Sequence, residues 1–247
     1  MPVSRMDSAL FSEVSYDMLG DKSKEKRIKK INKKIVKTGF IVDKKNSNRD
    51  ILTLYNPSTN EVSISHRGTS PTRLKDLKAD LAIATGEQGK NKEFKKRTKK
   101  TEQILDQYTD AKAYGSGHSY GSSSIYHSAL SSEKVRNRME KIDGFNGGAS
   151  IISSKAEEKI RKDPEAKKRV KKIMNHHRVD TDVISASMVV NKPVGTVYTY
   201  REKLTDDDKA KRVAFSNTPT PIQEGEKALS SHGLKHFYDK DKYHNVE

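Results

Sequence analysis

The sequence predicts an α/β protein with a mostly parallel sheet, an antiparallel hairpin near the N-terminus and helices on both faces. Two observations support this prediction. Segments with the alternating pattern of half-buried strands recur along the chain, and segments with the apolar spacing of helices separate most of them. A chain of 247 residues is long enough for one such domain, so we assign the range 1–247 to a single domain.

The strand predictions begin with a hairpin. DILTLYN (50–56) and EVSISHRGT (61–69) both alternate, and the turn PSTN joins them. Later strands are predicted at AKAYGS (111–116), KIDGFNG (141–147), TDVISASMVV (181–190) and GTVYTY (195–200). Because helix-like segments separate most of the later strands, we expect these strands to lie parallel to one another.

Three basic stretches carry most of the helix predictions. They lie near 22–37, 90–100 and 155–178, and apolar residues recur in each at helical spacing. We therefore expect surface helices that bury one face and expose a basic one. In the third stretch, Asp163 and Pro164 are predicted to start a new helix, which carries the apolar residues Val170, Ile173 and Met174 inward.

Charge and composition restrict the function. The formal net charge of +16 favours phosphate-bearing partners, either nucleic acid or anionic lipid head groups. The absence of cysteine excludes disulfides and thiolate metal sites. The chain has neither an apolar run of membrane-spanning length nor the pattern of a secretory signal. We expect a soluble protein with peripheral contact to membranes.

One pentapeptide predicts a catalytic serine. Gly117-His118-Ser119-Tyr120-Gly121 has the pattern G-x-S-x-G between a predicted strand and a predicted helix, which is the nucleophile elbow of α/β-hydrolases. The glycines allow a turn so tight that a Cβ atom would clash. At the start of the helix, the backbone N–H of Tyr120 and the helix dipole favour a developing oxyanion.

A catalytic serine needs a histidine and a carboxylate, which follow it in the order Asp or Glu, then His, in this class of fold. Asp180 and Asp182 lie at the edge of a strand-like run, and periodicity does not choose between them. His232 and His236 lie near the C-terminus, and His232 is better placed in a loop rich in serine and glycine.

The paired histidines His176 and His177, together with the two aspartates, also form a candidate metal cluster. The segment lacks a strong ligand spacing such as His-Glu-x-x-His. We therefore predict neither a metal site nor a cofactor.

The sequence resembles the class 3 lipases, also called fungal-type triacylglycerol lipases, which have an α/β-hydrolase fold. VSISHRGT with LKDLKADL is similar to the family's Arg-Gly-Thr or Arg-Gly-Ser strand end and the helix after it, and GSGHSYGSS is similar to its elbow. VDTDVIS and HGLKHF are similar to its Asp-x-Val-Pro and terminal His segments. Within the family, a lysine-rich chain without cysteine is most similar to small lipase-like proteins encoded by viruses, and this similarity implies a cytoplasmic or virion-associated location.

The resemblance implies a function and a set of roles. Ser119 would be the nucleophile, Asp182 the triad carboxylate and His232 the base, while Thr69 and Tyr120 would supply the oxyanion hole. The sequence departs from the family pattern at four positions, which carry other residues than the family does: His66, Leu77, Ser122 and Ser185.

We therefore expect a serine acyl-ester hydrolase that acts on lipid or phospholipid esters at anionic membrane surfaces. Two alternatives stay open at this point. The first is a basic nucleic-acid-binding protein, which explains the charge but leaves the elbow unexplained. The second is a lipase-like fold that is kept as a structural or interaction module without activity.

Overall fold

The computed structural model describes residues 2–19, 22–68, 88–148, 154–180, 188, 192–202, 234–237 and 243–246. Within these residues, eight strands form one sheet, and their order in the sheet follows their order in the chain. The strands are β1 (Ile41–Val42), β2 (Ile51–Asn56), β3 (Glu61–His66), β4 (Lys112–His118), β5 (Met139–Phe145), β6 (Met174–Val179), β7 (Thr196–Glu202) and β8 (Tyr243–Val246).

The strand directions agree with the predicted fold class. Strands β1, β2 and β3 are antiparallel, β3 to β7 are parallel, and β8 is antiparallel to β7. A mostly parallel sheet with an antiparallel hairpin at its N-terminal side is therefore confirmed. The carboxyl ends of β3, β4, β5 and β6 consequently lie along one edge of the sheet, which is the edge where ligands bind in open α/β folds.

The described residues form seven α-helices. These are α1 (Arg5–Val14), α2 (Lys24–Ile35), α3 (Lys92–Gln107), α4 (Tyr120–Ser131), α5 (Glu133–Arg138), α6 (Lys155–Lys162) and α7 (Pro164–Ile173), with short 3₁₀ helices at Ser15–Met18, Val36–Thr38 and Leu234–Phe237. The helices other than α4 start at a serine, asparagine or aspartate whose side chain accepts a hydrogen bond from the first turn. At α4 the residue before the helix is Ser119, and its side chain makes no capping hydrogen bond.

Helices cover both faces of the sheet, as predicted. On one face, the apolar sides of α3 to α7 pack against β3, β4, β5 and β6 around residues such as Ile64, Ile125 and Ile142. On the other face, α1 and α2 pack against β2 and β4 around Phe11, Ile31 and Leu54. These fully buried side chains form the two halves of the core.

The basic stretches form the helices that their apolar spacing predicts, with one correction. Asp163 caps α7 and Pro164 is its first residue, as predicted. The prediction that this helix includes Met174 is wrong, since α7 ends at Ile173 and Met174–Val179 is strand β6. Of the predicted strand at 181–190, the described part is Met188 alone, which is helical. In the described parts of the chain, no helix has the length and apolar character that crossing a membrane requires.

Candidate active site

Ser119 is the single residue between the end of β4 at His118 and the start of α4 at Tyr120. Its backbone angles are φ 55° and ψ −129°, in a region that residues with a Cβ atom rarely occupy. The backbone N–H of Ser119 donates a hydrogen bond to the carbonyl oxygen of Phe145, 2.9 Å away at the end of β5. A strained serine at the junction of a strand and a helix indicates a functional constraint, because folding alone would favour glycine at this position.

Two neighbouring glycines allow this turn. A Cβ atom on Gly117 would lie 2.5 Å from the carbonyl oxygen of Gly121 and 2.6 Å from the nitrogen of Ser122. A Cβ atom on Gly121 would overlap the carbonyl oxygen of His66 and lie 2.8 Å from the carbonyl carbon of Arg67. The atoms that would clash belong to the main chain, so no side-chain rotation could relieve the clash. Helix α4 therefore starts in direct contact with the ends of β3 and β4.

The segment that leads to Thr69 lies against the same turn. His66 pairs with Gly117 in the register of β3 and β4, and a Cβ atom on Gly68 would lie 2.6 Å from the carbonyl oxygen of His118. Thr69 itself lies outside the described residues. The contacts of Gly68 therefore define the direction from which the chain approaches the serine, and the role of Thr69 stays a prediction.

A buried arginine holds the end of β3. The guanidinium of Arg67 is fully buried, and it donates to the carbonyl oxygens of Arg49 at 2.7 Å and of Gly68. It also lies 3.3 Å from a carboxylate oxygen of Asp50. A buried guanidinium needs such a set of acceptors, so Arg67 fixes the path of the chain just before Thr69.

A second buried arginine connects this strand end to Tyr120. Arg97, on α3, donates to the carbonyl oxygen of Arg67 at 2.7 Å, and its guanidinium carbon lies 4.6 Å from the centroid of the Tyr120 ring. The same ring packs edge-on against Phe94 at 5.2 Å. Helix α3 thus contacts both segments that the sequence assigns to the oxyanion hole.

Asp182 and His232 lie outside the described residues, and so does the side chain of His236. The chain on either side of them is partly described. The backbone N–H of Asp180, just after β6, donates to the carbonyl oxygen of Tyr200 at 3.0 Å. Leu234 and Phe237 are buried in one apolar cluster with Phe145. The triad roles of Asp182 and His232 stay predictions.

The paired histidines do not form one metal site. As consecutive strand residues they point to opposite faces of the sheet. The Nε2 atom of His176 lies 3.0 Å from the carbonyl oxygen of Val194, whereas the Nε2 atom of His177 lies 3.1 Å from a carboxylate oxygen of Asp143. The described parts of the chain hold no cluster of three or more histidine, aspartate or glutamate residues suited to a metal ion.

Burial favours the neutral form of both histidines. Burial lowers the pKa of His176 to about 4, and it lowers the pKa of His177 as well. Burial alone would raise the pKa of Asp143, but the hydrogen bond from His177, the attraction to that imidazole and the charge of Lys141 outweigh it and hold the pKa well below its usual value. The pair is therefore a buried imidazole that donates a hydrogen bond to a buried, ionised carboxylate.

Sequence reasoning missed two residues at the serine turn. The hydroxyl of Tyr16 lies 2.9 Å from the Nδ1 atom of His118, the residue before Ser119. Asn146 has a φ of 45°, and its side-chain oxygen accepts a hydrogen bond from the N–H of Val179 at 2.9 Å, which joins the ends of β5 and β6. The run FNGG carried a signal for Asn146, because asparagine tolerates positive φ better than most residues. Tyr16 carried none.

The fold is similar to that of fungal lipases. The chain matches the structure of nonglycosylated LIP2 lipase from Yarrowia lipolytica with a TM-score of 0.50 and 11% identity, over 81% of this chain and 79% of that one. A second structure of Lip2 lipase from Yarrowia lipolytica matches with a TM-score of 0.48 and 14% identity, over 78% and 76% of the two chains. A lipase–propeptide complex from Rhizomucor miehei matches with a TM-score of 0.44 and 12% identity, over 81% of this chain and 68% of that one.

At such low identity, the match to LIP2 lipase establishes a shared lipase-like α/β fold and not a shared activity. No protein-family model matches the chain. No curated protein matches it either.

Proposed function

We propose that this protein is a serine ester hydrolase that cleaves lipid esters, with Ser119 as its nucleophile. The backbone of Ser119 carries the proposal. This residue is held at a φ of 55° between a strand and a helix, and its hydroxyl does not cap the helix that follows it. A strained, uncapped serine above a parallel sheet is the arrangement that nucleophilic acyl transfer needs.

In the proposed reaction, the hydroxyl oxygen of Ser119 attacks the ester carbonyl carbon while His232 accepts the hydroxyl proton. His232 then donates that proton to the leaving alcohol, and Asp182 stabilises the imidazolium that forms in between. Water cleaves the acyl-enzyme by the same route. The backbone N–H groups of Tyr120 and Thr69 would hold the oxyanion, each contributing about 3 kcal/mol to the stability of the transition state.

The positions of described neighbours support these roles. Leu234, two residues after His232, packs in the apolar cluster of Phe145, whose carbonyl oxygen accepts the hydrogen bond from Ser119. Val179, three residues before Asp182, belongs to the same cluster. Leu234 and Val179 therefore lie near the carboxyl ends of the strands, and Ser119 follows one of these ends.

A fluorophosphonate probe tests the nucleophile. It should label the wild-type protein and fail to label Ser119→Ala. Ser131→Ala is the matched control, since Ser131 is at the far end of the same helix and its hydroxyl donates to the carbonyl oxygen of His127 at 2.7 Å. Labelling of Ser119→Ala at the wild-type rate would overturn the assignment. Asp182→Asn and His232→Gln should each abolish labelling, whereas Asp180→Asn should not.

The net charge of +16 supports action at anionic membrane surfaces. We expect hydrolysis of lipid esters in anionic vesicles to be faster than in neutral vesicles and to slow as salt is added, because salt screens the attraction. Equal rates on both kinds of vesicle at every salt concentration would contradict this part of the proposal.

A further inference from the structure

A groove of about 640 Å³ lies between the 3₁₀ helix Ser15–Met18 and the first half of α2. This volume is in the range of sites that bind small molecules. Four basic residues line the groove, namely Lys22, Lys26, Arg27 and Lys30, and its remaining lining includes Tyr16 and Asp17. The groove therefore combines a concave shape with a cluster of cations.

The charges in the groove favour an anion. Asp17 is already paired, since its carboxylate oxygens lie 2.6 Å from the ammonium of Lys30 and 2.8 Å from that of Lys34. Burial works against the charged form of Asp17, but these two lysines outweigh it and lower its pKa. Within the described parts of the chain, Lys22 and Lys26 form no ion pair. The groove thus keeps a positive excess that a ligand can neutralise.

The groove shares one residue with the contacts of the serine turn. Tyr16 belongs both to the groove wall and to the serine turn, because its hydroxyl lies 2.9 Å from the Nδ1 atom of His118. A Cβ atom on Gly68 would also overlap that hydroxyl, so Tyr16 contacts the segment that leads to Thr69. An anionic group in the groove would therefore be held on the α2 side of Ser119.

The C-terminal end of α2 is too far from the serine turn to hold a ligand beside Ser119. Val36 and Ile41 are large exposed apolar residues there, and a membrane could bury them. However, Ile41 pairs with Tyr55, at the end of the hairpin away from the His66–Gly117 pair beside the serine. Docking through Val36 and Ile41 would place the bilayer against the outermost strand β1, away from Ser119. The groove is the basic feature of α2 that lies beside the serine turn.

We propose that this groove binds the phosphate head group of a glycerophospholipid whose ester carbonyl lies at Ser119. The proposal rests on the proposed ester hydrolysis and adds the substrate class. Phosphate oxygens accept charge-assisted hydrogen bonds from ammonium and guanidinium groups, so the basic groove matches this head group and offers less to a neutral glyceride.

The test compares two soluble substrates, dihexanoyl-phosphatidylglycerol and dihexanoylglycerol, each below the concentration at which it aggregates. The variant is Lys22→Ala/Lys26→Ala. Its matched control is Lys168→Ala/Lys172→Ala, which removes the same charge with the same spacing from exposed positions on α7, across the sheet. We expect the ratio of kcat/KM for the anionic substrate to that for the neutral one to fall roughly tenfold in the groove variant. In the control variant this ratio should stay at its wild-type value.

A binding measurement separates this proposal from the proposed catalysis. Calorimetry on Ser119→Ala should detect binding of dihexanoyl-phosphatidylglycerol. Adding Lys22→Ala/Lys26→Ala to this variant should weaken that binding roughly tenfold, the factor expected for the kcat/KM ratio. If the wild-type protein hydrolyses neither substrate but this binding is lost with the groove lysines, the catalytic proposal fails and the groove proposal stands. Equal loss in the α7 control would overturn the groove, as would inorganic phosphate binding as tightly as the lipid. A groove-dependent affinity for a duplex oligonucleotide without any for the lipid would also overturn it.

Discussion

The backbone N–H of Ser119 donates a hydrogen bond to the carbonyl oxygen of Phe145 at 2.9 Å, so the strained serine is tied to the end of the neighbouring strand β5. The ring of Phe145 in turn packs against the ring of Phe237, with a centroid separation of 4.8 Å. Phe237 is five residues after His232. Phe237, in the segment after the candidate base, thus packs on Phe145, whose carbonyl oxygen accepts the hydrogen bond from the candidate nucleophile.

Replacing Phe237 should therefore affect both stability and rate. Phe237→Ala would leave a cavity beside Phe145 and Tyr200, and we expect a loss of about 3 kcal/mol in the free energy of unfolding. It should also lower kcat for ester hydrolysis about tenfold, because the segment that includes His232, the proposed base, would lose its contact with Phe145. Phe237→Leu keeps most of the apolar contact, so its free energy of unfolding and its kcat should both fall far less. Wild-type kcat in a folded Phe237→Ala protein would contradict the proposed role of His232. Denaturant unfolding and initial rates measure the two effects.

Gly121 should accept no side chain. The Cβ atom of Gly121→Ala would overlap the carbonyl oxygen of His66, and this main-chain atom cannot rotate away. We expect a loss of several kcal/mol in stability, or failure to fold. Gly89→Ala is the control, since the nearest atom to its Cβ would be the Cε1 atom of His127 at 4.0 Å. A comparison of the two melting temperatures checks the prediction, which would be wrong if both variants melted together.

The serine turn could be predicted because its requirements are local. The two glycines are needed within five residues, so their spacing is visible in the sequence. The same holds for α7, where Asp163 and Pro164 mark the start of the helix. Alternation and helical spacing were enough to predict strands β2, β3, β4, β5 and β7 and the basic helices on the two faces of the sheet. These features depend on neighbours in the chain.

Features that depend on tertiary partners were missed. Strand β6 reads MNHHRV, and its two histidines are buried in contact with residues that are distant in the chain. His177, for example, is bonded to Asp143 on β5 and to Tyr200 on β7. Likewise, Arg67 contacts Asp50 across the hairpin, and no pattern in the sequence indicates that contact. Strand β1 has only two residues, which is too few to show an alternation.

Glycine at position 119 should relieve the strain that we infer at the nucleophile. At φ 55° and ψ −129°, alanine would keep the steric conflict of serine, whereas glycine has no Cβ atom. We expect Ser119→Gly to be more stable than Ser119→Ala by about 1 kcal/mol, while both variants are inactive. Urea denaturation of the two variants gives the difference directly. Equal or reversed stabilities would show that the serine backbone stores no strain.

Buried neutral histidines should make the fold sensitive to acid. Burial lowers the pKa of His127 from 6.5 to about 4. Below pH 6.5 the unfolded chain therefore binds a proton that the folded protein does not, and the stability that His127 contributes is lost as the pH falls from about 6.5 towards 4. Across this window, His127 accounts for roughly 3 kcal/mol of lost stability. His176 behaves in the same way.

The variant His127→Gln removes one of these titrations. Its free energy of unfolding should fall less steeply than that of the wild type between pH 6.5 and pH 4. The difference between the two proteins at pH 8, where the imidazole is neutral in both states, gives the packing cost to subtract. Parallel curves across the acid range would mean that His127 does not titrate differently on folding.

Arg97 should act as a positioning residue for the oxyanion hole. Its guanidinium both donates to the carbonyl oxygen of Arg67 and lies over the ring of Tyr120, and a lysine at this position would lose the planar group that makes both contacts. We expect Arg97→Lys to lower kcat roughly tenfold with little change in KM, because the oxyanion forms only in the transition state.

The affinity for a trifluoromethyl ketone separates positioning from simple loss of structure. This inhibitor forms a tetrahedral oxyanion on the serine, so its affinity should fall in Arg97→Lys by the same factor as kcat/KM, while a neutral substrate analogue binds as before. Lys96→Ala, an exposed neighbour on the same helix, should leave both affinities unchanged. If the ketone and the neutral analogue lost affinity in equal measure, Arg97 would support the fold of the site without aligning its oxyanion donors.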